Sequence, residues 1–89
     1  MTLMKLKKQF LTHEADGMSL LVPLGGAGFS GIVKGNKTLG AILELLKNDT
    51  TEDAIVEAMC ERFDAPADVI AADVQRAVRE LQSIGALEE

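Results

Sequence analysis

GFSGIVKGNKTLGAILELL, residues 28–46, holds the point at which this chain changes its period. Before Gly35 the pattern is two-fold. Phe29, Gly31 and Val33 share one parity and Ser30, Ile32 and Lys34 the other, which predicts a short strand over about 28–34. From Asn36 onward, Leu39, Ile42, Leu43 and Leu46 fall at i, i+3, i+4 and i+7, one face of a helix over about 37–48. Asn36 or Thr38 can cap its start, and Asn48-Asp49 ends it.

Toward the N-terminus the two-fold pattern continues. Met18, Leu20, Val22 and Leu24 predict a strand over about 18–24 with those four side chains on its buried face. Pro23 cannot donate to a ladder, so that strand is near its end or at an edge there. Glu14-Ala15-Asp16-Gly17 is a turn signal, and a first strand is expected over about 5–13, with Phe10 and Thr12 on one parity. Gly25-Gly26-Ala27-Gly28 is expected to connect strands two and three.

Toward the C-terminus the pattern stays helical. Thr50-Thr51-Glu52-Asp53 resembles a capping box and opens a helix over about 51–63, with Ile55, Val56, Met59, Cys60 and Phe63 inward. Asp64-Ala65-Pro66 breaks it. A third helix over about 66–84 carries the stripe Ile70, Val74, Ala77, Leu81 and Ile84, and Gly85 suits the residue after its end. Leu87 is expected to fold back onto the core. The fold class is therefore α+β: a three-stranded antiparallel meander followed by three helices, similar in its ingredients to a winged helix-turn-helix. Residues 1–89 are expected to form a single domain.

Composition narrows the function. The three aromatics are all Phe, which leaves little to stack on bases. The net charge of −5 is unevenly spread. Residues 1–35 carry Lys5, Lys7, Lys8 and Lys34 against Glu14 and Asp16; residues 36–89 carry five basic and twelve acidic side chains. That acidic half disfavours a polyanion such as DNA. One Cys and one His rule out an internal disulfide and a Cys/His zinc cage. No apolar run approaches the ~20 residues that span a bilayer, and no apolar segment of a signal peptide follows the basic start. A cytoplasmic protein that touches no membrane is expected.

Catalytic constellations are lacking. Cys60 reads as a buried structural thiol, and His13, at a strand end, as solvated. Glu52/Asp53 favour a helix start, and Glu57/Glu61 read as a solvated face. The glycine run leads to a strand rather than a helix, so it is no phosphate loop. A carrier-protein reading lacks an exposed Ser at a helix start. No catalytic residue, cofactor or metal is expected. A DNA-binding winged helix remains the alternative, with Gln75, Arg76 and Arg79 on helix three set against Asp68, Asp73 and Glu80.

Taken in order, the residues resemble the PqqD-like family, small peptide-binding domains also called RiPP recognition elements. Phe10-Leu11-Thr12-His13 resembles the opening strand. Asp16-Gly17 with Leu20-Leu21-Val22-Pro23 resembles the glycine turn and second strand, and Phe29 to Val33 the third. Asn36, Gly40, Ile42, Leu45 and Leu46 resemble the first helix. Thr50-Thr51-Glu52-Asp53, Phe63-Asp64, Asp73-Val74 and Leu81 with Gly85-Ala86-Leu87 resemble the later helices and the closing segment. The weight lies in the ordered set, which spans nearly the whole chain.

The resemblance implies a non-catalytic protein. It would bind the leader segment of a ribosomally made precursor peptide and present it to a modifying enzyme, often a radical-SAM enzyme. The leader would add as a strand on strand three, in the groove between that strand and helix three. The implied contacts are Gly28, Phe29, Ser30, Gly31, Ile32 and Val33 on the strand, and Val69, Ala72, Asp73, Arg76 and Glu80 on the helix. By their spacing alone, the charged residues on the helix read as an ordinary solvated face, with Asp73/Arg76 and Arg76/Glu80 as ion pairs. An exposed edge also admits a strand-exchanged dimer beside the monomer.

Overall fold

The computed structural model describes residues 3–24 and 31–88. In chain order the elements are β1 (Lys5–Leu6), β2 (Phe10–Ala15), β3 (Met18–Pro23), β4 (Val33–Gly35), α1 (Lys37–Leu45), α2 (Glu52–Arg62), α3 (Ala67–Ser83) and β5 (Leu87–Glu88). β2, β3 and β4 form the antiparallel meander, in that order, and the three helices follow. This is the α+β architecture that the change of period predicts.

The β2–β3 hairpin is closed by Asp16-Gly17. Ala15 pairs with Met18, and both turn residues have positive φ, 51° at Asp16 and 77° at Gly17. Two left-handed residues make the tight turn whose twist matches the flanking strands, which is why Asp-Gly suits it.

The face that the hairpin buries is the opposite of the one expected. Leu21 is wholly buried and Ser19 is 8% exposed, whereas Met18 and Leu24 are each 44% exposed and Leu20 and Val22 are intermediate. Apolar residues stand on both parities here, so the alternation of β3 alone did not decide. Its partners do. The register sets Leu21 between Thr12 and Val33, and Ser19 between Glu14 and Gly35. That parity carries Phe10, buried to 3%, and Val33, which packs on the core.

Close approach of α1 reinforces the choice. A Cβ placed on Gly40 would overlap the Ser19 hydroxyl and lie 3.2 Å from Ser19 Cβ. Alanine in a helix interior is ordinarily better than glycine by up to about 1 kcal/mol. Gly40→Ala is nevertheless expected to lose about 1 kcal/mol here by overpacking. Ser19→Ala, which removes the hydroxyl, should convert much of that loss into gain. Urea unfolding of the two single variants and the double variant checks this. A Gly40→Ala protein more stable than the parent would show the contact to be soft.

The first strand is not continuous over 5–13. A turn at Lys8-Gln9 divides it, and β1 leaves the meander to pair with β5, Leu6 opposite Leu87 and Lys5 opposite Glu88. Leu87 thus does fold back onto the core. The N-terminal segment is further tied by Met4, whose N–H donates to the Thr50 carbonyl at 2.8 Å, and by the Leu6 N–H on the Leu46 carbonyl at 2.8 Å.

The helices begin where their caps dictate. Asn36 Oδ1 accepts from the Leu39 N–H at 3.2 Å, and Thr51 Oγ1 from the Ala54 N–H at 3.1 Å. Thr51 rather than Thr50 is therefore the second cap. Pro66 stands just before α3, which starts at Ala67. α3 buries Ile70, Val74, Val78 and Leu81, with Ala77 and Ile84 packed at the margin. Cys60 is exposed, against expectation. α2 turns Ile55 and Met59 inward, and Cys60 lies about 100° further round, past the edge of that stripe.

Candidate functional site

β4 is the last strand of its sheet. One side pairs with β3, and the backbone groups of the other side have no strand partner among the described residues. Beside it runs a groove of about 240 Å3. Lys34 and Gly35 of β4 form one bank, Thr38, Leu39 and Ile42 of α1 the floor, and Asp73, Arg76, Ala77 and Glu80 of α3 the other bank. The floor is apolar because Ile42 is core and Leu39 packs on it. The α3 bank is charged where Asp73, Arg76 and Glu80 flank the buried stripe of Val74 and Val78.

The residues singled out in the sequence divide into three sets. Asp73, Arg76 and Glu80 meet in the groove. Arg76 pairs with Asp73 at 3.5 Å, with its side chain 75% exposed. Among the described residues Arg76 makes no ion pair with Glu80. Val69 and Ala72 are exposed on α3 outside the groove lining. Gly31 and Ile32 lie before β4, at a bend with Gly31 at φ 130°, and Ile32 is 54% exposed and outside the ladder. Val33 lies within β4. Gly28, Phe29 and Ser30 lie outside the described residues. The third strand therefore runs to Gly35, and the expected bounds of 28–34 sit too early at their C-terminal end.

Sequence reasoning missed Lys34, Gly35, Ala77 and the α1 floor. Leu39 and Ile42 read as core, and Thr38 as a candidate cap. Gly35 offered a signal, since it immediately precedes the Asn36 cap. A Cβ there would overlap Leu39 Cδ2 and lie 2.7 Å from Leu39 Cβ, so glycine lets α1 start flush against the strand.

Comparison with known proteins identifies the architecture. The family model described as coenzyme PQQ synthesis protein D (PqqD) matches residues 18–87. The chain belongs to the PqqD family. Two solved structures share the fold of this PqqD-family chain. One is TbiB1 in complex with the TbiA(beta) leader peptide, with TM-score 0.75 and 19% identity, covering 94% of each chain. The other is lasso peptide synthetase B1 complexed with the leader peptide, with TM-score 0.73 and 15% identity, covering 97% of this chain and 98% of that one. Among curated protein sequences none matches significantly.

The groove beside β4 offers main-chain hydrogen-bonding groups and charged side chains for recognition. Among the described residues no three His, Cys, Asp or Glu side chains converge to hold a metal ion. No described helix is long and apolar enough to cross a membrane.

Proposed function

We propose that this chain is a non-catalytic module that binds the leader segment of a ribosomally made precursor peptide and presents it to a modifying enzyme. The leader adds as a fourth strand on the free edge of β4 and lies against α3. The observation that carries this reading is the unpaired β4 edge with a groove beside it: main-chain groups supply affinity, and the flanking side chains supply selection. Membership of the PqqD family supports it, as do two neighbours of the same fold solved with leader peptides. Radical-SAM enzymes are the class of partner that the family resemblance suggests. Holding leader and enzyme together raises the effective concentration of the segment to be modified, which gives a protein without catalytic groups its use.

DNA binding finds no support. α3 carries Asp68, Asp73 and Glu80 against Arg76 and Arg79, so its face would repel phosphate.

The test is an amide-shift titration of the labelled protein with the leader half of its precursor, and with duplex DNA as the control. Shifts should gather at 31–35 and 73–80 with peptide and be absent with DNA. Arg76→Glu should then weaken leader binding about fivefold at low ionic strength, with the difference shrinking as salt screens the charge. A loss independent of salt would assign Arg76 a packing role, and shifts elsewhere on the surface would overturn the groove.

A further inference from the structure

A second and larger cleft lies on the other side of α1. Its volume is about 730 Å3. The distal half of the β2–β3 hairpin overhangs it, and the end of α2 closes it with Arg62 and Phe63. α1 is the wall between the two depressions. Thr38, Leu39 and Ile42 face the leader groove, while Lys37, Ala41 and Glu44, at i, i+4 and i+7, face the cleft.

Charge sets this cleft apart from the surface around it. Residues 36–89 hold five basic side chains, and three of them, Lys37, Lys47 and Arg62, line it. Of the described acidic side chains in the same stretch only Glu44 does, and it is paired with Lys47 at 3.2 Å. Among the described residues Lys37 and Arg62 make no ion pair. The hairpin adds Glu14, so the lining is net positive on a chain of net charge −5. Half-buried Phe63 and buried Ala41 place apolar surface between the cations.

We infer that this cleft is a second binding site, which takes an acidic, partly apolar segment of another protein. Spaced carboxylates would meet Lys37 and Arg62, and an apolar side chain between them would cover Phe63. A nucleic acid fits less well. Its charge recurs at every nucleotide, Glu14 and Glu44 would oppose it, and the lining offers only Phe63 and the His13 imidazole, with no Trp or Tyr, for stacking. The cleft's case does not depend on what the β4 groove binds. With both filled, two chains would be held on one small scaffold, separated by the width of α1.

The test uses the full chain, labelled for amide shifts, and three probes: a short synthetic Glu-Glu-Leu repeat peptide, its Lys-Lys-Leu analogue and a single-stranded oligonucleotide of equal length. The acidic peptide should shift Gly17, Ser19, Gly40, Ala41, Glu44 and Phe63, and leave Gly35 and 73–80 in place. The double variant Lys37→Glu/Arg62→Glu should lower its affinity about tenfold at low ionic strength and much less at high. Lys37→Gln/Arg62→Gln should fall between. Both altered side chains are exposed, so the fold should persist, with unshifted core amides as the check. Leader binding by the double variant should be unchanged, which separates this site from the β4 groove. No shift with the acidic peptide, an equal response to the basic one, tighter binding of the oligonucleotide, or undiminished affinity in the double variant would each overturn the inference.

Discussion

Leu21→Ala is expected to cost about 3 kcal/mol of stability, and Leu20→Ala, its neighbour, less than about 1 kcal/mol. Leu21 has no exposed surface and stands between β2 and β4, on the side that packs under α1. Truncation there removes buried methyl groups and leaves a cavity that two paired strands and a helix cannot collapse to fill. Leu20 points the other way, with His13 and Lys34 as its cross-strand neighbours, and Met18 on the same face is 44% exposed. Leu20 is only partly buried, so its shortening removes surface that water already reaches in part and leaves no enclosed cavity. A domain of this size commonly has only about 5 kcal/mol in hand, so Leu21→Ala should leave a protein prone to unfold on mild warming. Urea unfolding of the two variants decides it. Equal losses would mean that the outer face of the sheet is covered in solution, which a strand-exchanged or stacked dimer would do.

That pair of neighbours also marks where the sequence could be read and where it could not. The change of period at Asn36, the Asp16-Gly17 turn and much of the α3 stripe were legible because each is a local pattern with a local cause. The inward face of β3 was not. With Leu20 beside Leu21 and Val22, both parities are apolar, and the choice rests on the register with Phe10 and Val33 and on the missing side chain of Gly40. β1 was illegible for a different reason. Two residues at one end of the chain pair with two at the other, and no local signal announces so short and distant a pairing. Cys60 shows the width of the error on a helix: one position separates it from buried Met59. The groove was half legible. Its charged bank on α3 stands in the periodicity of the sequence, whereas Lys34, Gly35 and the α1 floor join it only once α1 has packed against the sheet.

Proline scanning of β4 should separate binding from folding. Successive N–H groups along an edge strand point alternately to the neighbouring strand and to the open side. Val33→Pro and Lys34→Pro therefore remove donors of opposite kinds. One of them deletes a donor to β3 and should destabilise the meander. The other deletes a donor to an incoming strand and should leave the circular dichroism spectrum native, while leader affinity falls about tenfold to a hundredfold through the lost hydrogen bond and the bulk of the ring. Ile32→Pro is the weaker probe, since Ile32 lies outside the ladder, and it should cost less than the folded member of the pair. The two substitutions control for each other, because they alter adjacent positions of the same three-residue strand in the same way. A folded variant with proline at the outward-pointing position that binds the leader as tightly as the parent would remove β4 as the docking edge. The edge of β2 at the other end of the sheet, which has no strand partner among the described residues, would then be the place to look.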